Sequence, residues 1–330
     1  LLSIARHGAA IGCELFVLDD GWFGKRNDDH CSLGDWQVNR AKLPNGLDGL
    51  SAKVHGLGML FGLWFEPEMI STDSDAYRAH PDWCLHVTGR ARSEARNQLI
   101  LDMSRAEVQA YVLQSLCSVL DAAEIDYVKW DMNRNMTEAF SEALPPERRM
   151  ETQHRYMLGL YAVLEALTKR YPHILFEGCS GGGGRFDCGM LCYMPQIWTS
   201  DDTDAMERTR IQYGTSFVYP PCTMGAHVSA CPNHQTGRTT SLKARCDVAA
   251  SGNFGFELDL SRFTAEEEQM AAARVAQVKS LRGVLQKGCF TRLESPFEGE
   301  YAAWMLSDET LAAVFAARTL APPNSVAQCT

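Results

Sequence analysis

The sequence predicts an α/β chain: a (β/α)8 TIM barrel lacking its first strand, followed by the start of a C-terminal antiparallel β-sandwich. Three observations carry this expectation. Short apolar runs ending in acidic or aromatic residues recur about seven times and alternate with helical stretches, the pattern of parallel strands joined by helices. Nearly every run delivers its polar residues at the carboxyl end, as a barrel enzyme does; a doubly wound sheet is the other architecture with this pattern. Beyond residue 284 the helices stop and short apolar runs follow one another, which divides the chain into a barrel, 1–284, and the beginning of a sandwich, 285–330.

Each element has its own signal. Residues 2–12 space their apolar positions as a helix does and close near Gly12, so the first barrel strand is expected upstream of Leu1. Leu15-Phe16-Val17-Leu18 is a continuous apolar run, as in a strand buried on both faces, and ends in Asp19-Asp20-Gly21-Trp22. A polar loop leads to a helix over 47–55, and the run 59–65 then ends in Glu66-Pro67-Glu68. Residues 99–101 read as a further strand ending in Asp102, and a helix over 105–122 precedes Tyr127-Val128-Lys129-Trp130-Asp131. A helix over 149–170 leads to the run 174–176 and Glu177-Gly178-Cys179-Ser180. The run 196–199 ends in Ser200-Asp201-Asp202-Thr203-Asp204; a long irregular stretch, a helix over 239–251 and the run 254–256 follow. A helix over 264–282 closes the barrel, and 290–293, 301–306 and 311–316 read as sandwich strands.

Composition bounds the function. The 330 residues suffice for one large domain and an appendage. A net charge of −10 argues against nucleic acid or an anionic membrane as the main partner, and no apolar run is long enough to span a bilayer. The twelve cysteines are scattered without a C-x-x-C pair, which points to a reducing compartment and to neither zinc nor dithiol chemistry. No cofactor and no metal are expected.

The chemistry lies at the strand ends, which carry Asp19, Asp20, Trp22, Trp64, Glu66, Asp102, Lys129, Asp131, Cys179, Asp201, Asp202 and Asp204. In a barrel they converge on one mouth. Carboxylates grip sugar hydroxyls and indole faces stack on a ring's C–H surface, though the same acids also suit a metal. Glycoside hydrolysis needs one ionised and one protonated carboxyl group. Lys129 beside Asp131 would keep that carboxylate charged, whereas Asp201 beside Asp202 and Asp204 would hold its proton more readily. Taken alone, Lys129 and Asp131 also fit a surface pair on a strand-to-helix turn.

Taken in order, Asp19-Asp20-Gly21-Trp22, Trp64-Phe65-Glu66-Pro67-Glu68, Arg96-Asn97-Gln98, Lys129-Trp130-Asp131-Met132-Asn133-Arg134, Cys179-Ser180-Gly181-Gly182-Gly183 and Trp198-Thr199-Ser200-Asp201 resemble the α-galactosidases of glycoside hydrolase family 36. The resemblance covers roughly residues 10–260. It implies a (β/α)8 barrel between an N-terminal β-supersandwich and a C-terminal β-sandwich, and double displacement with retention. It makes Asp131 the nucleophile and Asp201 the acid/base, with Asp19, Asp20, Trp64, Arg96, Lys129, Asn133, Cys179, Gly181 and Trp198 around the galactose. The implied partner is an α-galactoside oligosaccharide of the melibiose or raffinose type, in a homo-tetramer of the full-length protein. Localisation in the bacterial cytoplasm is expected, with a signal segment upstream left open by the missing Met start. An α-N-acetylgalactosaminidase or a galactosyl-transferring relative shares the scaffold. A metal-dependent hydrolase and a non-catalytic sugar-binding protein are the readings of other classes.

The remaining features read more plainly. The run Gly181–Gly184 is not followed by Gly-Lys-Ser/Thr, so close backbone approach to a sugar is favoured over phosphate binding. Cys179 by chemistry alone suits a buried structural thiol. His227 and His234 read as loop histidines, and Arg208 and Arg210 as a solvated or ion-paired helix face. Glu66 and Glu68 are open between a structural brace and a supporting role at the site.

Overall fold

A computed structural model describes residues 1–320; the last part of the expected sandwich, 321–330, lies outside the described residues. The chain forms two compact units, one of Glu14–Pro195 and one of Leu1–Cys13 with the chain from Gln196 onward.

In the first unit, strands β1 (Leu15–Leu18), β2 (Leu60–Phe65), β3 (Met69–Ile70), β4 (Leu99–Ile100), β5 (Tyr127–Trp130) and β6 (Leu175–Gly178) follow in chain order. β1, β2, β5 and β6 lie side by side and parallel, with Leu18 opposite Leu63, Val128 opposite Leu63 and Phe176 opposite Val128. This register puts Trp64, Lys129 and Glu177 at one level. Side chains alternate between faces along a strand. Two residues further on, Glu66, Asp131 and Cys179 therefore come level at the carboxyl ends, on the same face.

Helices Gly46–His55, Ala106–Leu120 and Thr152–Arg170 connect the strands. Helix Ala106–Leu120 buries Val108, Val112 and Leu116, the four-residue spacing of one helical face. Helix Thr152–Arg170 approaches so closely that a Cβ on Gly159 would lie 1.8 Å from the Met103 carbonyl oxygen, a position only glycine can fill. One expectation is corrected here. The run 99–101 does not join the parallel strands: Leu99 and Ile100 pair antiparallel with Ile70 and Met69, and Asp102 is taken up by Ser104, Ser141 and Arg105. A short apolar run demands burial but leaves the partner open, and here the partner is β3.

The second unit holds β7 (Gln196–Trp198), β8 (Met224–Ser229) and β9 (Asn253–Glu257), parallel and in that order. β8 lies inside the stretch read as irregular. His227 is thus a strand residue rather than a loop residue, its ring 4.7 Å from that of Trp198. Helix Leu242–Ala249 seals β8 with Leu242, Cys246 and Ala249 against Ala226 and Val228. The final helix, Ala265–Lys287, starts on a capping box between Thr264 and Glu267 and runs past the boundary expected at 284. β10 (Cys289–Glu294), β11 (Tyr301–Ser307) and β12 (Ala312–Arg318) then form an antiparallel sheet that packs Leu306 and Ala313 on Val284 and Leu285. The chain is therefore an α/β fold of parallel strands with a C-terminal antiparallel sheet. Among the described residues, no helix is long and apolar enough to cross a membrane.

Candidate active site

Asp131 leaves β5 with its own N–H bound to the Phe65 carbonyl at 2.8 Å, which fixes the backbone at the strand end. Its side chain is only 5% exposed. Oδ1 accepts the Met132 N–H at 2.9 Å; Oδ2 accepts the Trp64 indole N–H at 3.0 Å and the Asn133 amide at 2.7 Å. These hydrogen bonds hold the carboxylate in one orientation. The level register brings Cys179 to the same place: its thiol is pushed well up by burial, then by the Asp131 charge.

One level back, Lys129 Nζ donates to Asp19 at 2.9 Å. Burial works against the Lys129 ammonium, but Asp19 and the neighbouring Cys179, Glu177 and Asp131 overcome it and raise its pKa. Lys129 therefore bonds Asp19 directly and reaches Asp131 through its charge. Asp20, next along, is gripped by the buried Arg26 through Nε at 3.0 Å and Nη2 at 2.8 Å. Trp64 is buried with Phe23 and Trp36, and Trp22 donates its indole N–H to the Trp64 carbonyl at 2.9 Å.

Beside this cluster lies a cavity of about 640 Å³ whose lining includes Arg96, Met132, Asn133, Arg134, Gly181 and Arg185. Gly181 has φ +51°, and a Cβ there would meet nothing within 4 Å, so its backbone faces open space. The Gly-rich loop is tied down from behind. Arg185 reaches the fully buried Glu68, which also accepts from the Trp130 indole at 2.8 Å and from Tyr156. Glu68 is thus a brace. Glu66 is different: 1% exposed, it accepts the Asn133 N–H and is pushed up to about 8 by burial, then by the Asp131 charge.

Trp198 and Asp201 belong to the other compact unit, where the indole N–H of Trp198 donates to Asp201 Oδ1 at 3.0 Å. Arg208, expected on a solvated or ion-paired helix face, is instead 3% exposed. It lies 5.4 Å from the Trp198 ring centroid and donates to the carbonyls of Ser200, at 3.1 Å, and Gly225, at 2.5 Å. Burial lowers its pKa to about 10. Asp204 caps helix Ala205–Thr215 through the N–H groups of Met206 and Glu207 and pairs with Thr236 and Arg238. Those donors outweigh its burial and lower its pKa.

The first unit thus brings together Asp19, Trp64, Lys129, Asp131, Asn133 and Cys179, with Asp20 adjoining Asp19 and Arg96 and Gly181 on the cavity wall. The second brings together Trp198 and Asp201. The sequence reading gave no supporting role to Arg26, Arg134, Arg185 or Arg208.

The sequence profile described as melibiase matches residues 1–288. Alpha-galactosidase AgaA of Geobacillus stearothermophilus is 62% identical over 98% of this chain and 45% of its own length. Alpha-galactosidase 1 of Pediococcus pentosaceus is 52% identical over the same 98% and 45%. The crystal structure of AgaA matches with a TM-score of 0.97 at 61% identity, over 98% of this chain and 46% of that one. An AgaA variant crystallised with raffinose matches at 0.96 and 61%, with the same coverage. The chain spans less than half the length of these relatives. It belongs to the melibiase family, the α-galactosidases of glycoside hydrolase family 36.

Proposed function

We propose that the complete protein is a retaining exo-α-galactosidase acting on non-reducing α-D-galactosides of the melibiose and raffinose type. The observation that carries this is the grip on Asp131, whose two oxygens are held by Trp64, Asn133 and the Met132 N–H beside the cavity. A nucleophile fixed in one orientation has already lost the freedom that the reaction would otherwise cost. AgaA variants crystallised with raffinose and with stachyose support the substrate class.

In this mechanism Asp131 attacks the anomeric carbon, the glycosidic C–O bond breaks, and Asp201 gives its proton to the departing oxygen. Asp201 then takes a proton from water, whose oxygen displaces Asp131 and releases galactose with its α configuration retained. Asp19, Asp20, Arg96, Lys129, Asn133 and Cys179 meet the sugar's hydroxyls, Trp64 and Trp198 its apolar surface, and Gly181 leaves room for it. The two carboxyl groups are expected ~5–5.5 Å apart.

The architecture we infer is a (β/α)8 barrel that closes with helix Ala265–Lys287, followed by the beginning of a β-sandwich at Cys289. The parallel strand order and the antiparallel sheet β10–β12 support it. A homo-tetramer of the complete protein is supported by the family resemblance and is checked by light scattering.

The test is a panel of aryl α-glycosides followed by an NMR time course on the one cleaved. α-Galactose should appear first and β-galactose only by mutarotation, and a mechanism-based galactoside should label Asp131. Early β-galactose, or a label on another carboxylate, would overturn the mechanism.

A further inference from the structure

Residues 93–98 form a tight turn. Ala95 and Gln98 exchange both backbone hydrogen bonds, at 3.3 and 3.2 Å, so Arg96 and Asn97 alone make its tip. Both have left-handed backbone, with φ +51° and +59°. Asn adopts this conformation readily; Arg does so at a cost, because its Cβ crowds the following carbonyl. The turn that presents Arg96 to the cavity is therefore one that its own sequence disfavours. Such a backbone persists where its surroundings over-determine it.

Arg134 supplies that determination. It is 7% exposed and follows Asn133 on the loop that carries Asp131. Its Nη1 donates to the carbonyl of Ser93 at 2.8 Å and to that of Gln98 at 3.0 Å, one on each side of the tip. Nη2 donates to Thr137 Oγ1 at 2.7 Å and Nε to the Asn135 carbonyl at 3.2 Å. One planar guanidinium thus closes the base of the turn and ties it to the nucleophile's own loop. The fork does this by shape; an ammonium cannot offer the same fixed donors.

We propose that Arg134 is a positioning residue for sugar recognition, clamping the 93–98 turn so that Arg96 stands in the cavity beside Asn133 and Gly181. The inference rests on the galactosidase reading of that cavity and deepens it: the Arg134 guanidinium is taken up by Ser93, Gln98 and Thr137 and acts through Arg96.

The test is a double-mutant cycle in the complete protein, with kcat and KM measured on an aryl α-galactoside and on raffinose for Arg134→Lys, Arg96→Ala and the double variant. Arg134→Lys should raise KM about tenfold and change kcat by less than about threefold, the mark of lost substrate binding. In the Arg96→Ala background the same change should add almost nothing, since what it positions is gone. An unchanged KM in Arg134→Lys, or an undiminished penalty in the Arg96→Ala background, overturns the proposal while the parent enzyme stays active. A parent that cleaves no α-galactoside overturns the functional reading beneath it instead. Should Arg134→Lys fail to fold, Thr137→Val removes the Nη2 acceptor, and with it the Ser93–Thr137 hydroxyl bond at 3.0 Å, and runs the same cycle beside Ser93→Ala, which removes the hydroxyl bond alone; Thr137→Val should raise KM about threefold over Ser93→Ala, and an equal KM in the two overturns the proposal.

Discussion

Lys129 Nζ and Asp19 Oδ2 stand 2.9 Å apart, across a strand that separates their own. Asp19 ends β1, Lys129 lies in β5, and β2 runs between them with Trp64 level with Lys129. The pair therefore spans the floor on which Trp64 stands, and its two members act as one unit. Lys129→Met and Asp19→Asn should each lower kcat/KM. Together they should cost less than the sum, with a coupling above about 0.5 kcal/mol in a double-mutant cycle. Additive losses would mean that the two contact the substrate independently.

Glu66 gives a pH signature. Its folded pKa is raised from 4.5 to about 8, by burial and then by the Asp131 charge. The folded protein binds a proton there that the unfolded chain releases, so the stabilisation is complete below about 4.5 and is lost as pH rises through about 8. Glu66→Gln carries no such proton. The melting temperature of the parent, relative to that of Glu66→Gln, should fall between pH 5 and pH 9, a range of about four units. A constant difference would mean that Glu66 is charged throughout.

Asp201 should show leaving-group dependence. A good leaving group departs with little protonation, so Asp201→Ala should slow the first step far less for an activated aryl galactoside than for raffinose. Added azide should restore part of the rate by replacing water in the second step. Equal losses on both substrates without azide rescue would count against the acid/base role.

Arg208 should matter to stability first. Arg208→Gln takes the guanidinium donor from the carbonyls of Ser200 and Gly225, the latter keeping its bond from the Thr199 hydroxyl, and removes the cation beside Trp198. Denaturant unfolding should show a loss of about 3 kcal/mol. A change within about 0.5 kcal/mol would place the residue on a tolerant surface.

How much of this was legible varies by element. The parallel strands announced themselves because a strand buried on both faces must be apolar throughout, as 15–18 and 60–65 are. β8 did not: Met224-Gly225-Ala226-His227-Val228-Ser229 mixes glycine, histidine and serine, and only neighbours on both sides make it a strand. The acids and tryptophans of the candidate site were visible as polar residues at strand ends. Their alignment was visible too, in the alternate pairs Trp64/Glu66, Lys129/Asp131 and Glu177/Cys179, and comparing those pairs would have put Glu66 beside Asp131. The partners of the arginines were not visible. Arg134 reaches carbonyls near residue 95 and Arg185 reaches Glu68, and nothing local in sequence encodes such partners.

Gly159 is not among the residues lining the cavity, yet it shares a helix with Tyr156, one turn away, which is. A single methyl group there would strike the Met103 carbonyl and lift the helix, drawing the Tyr156 hydroxyl off Glu68. Glu68 is also the anchor of Arg185, which follows the Gly-rich loop, so the disturbance would arrive at Gly181. In a random library, inactivating changes should therefore appear on the outer helix as well as at the strand ends. A screen that scored them by distance from Asp131 would misread Gly159 as harmless.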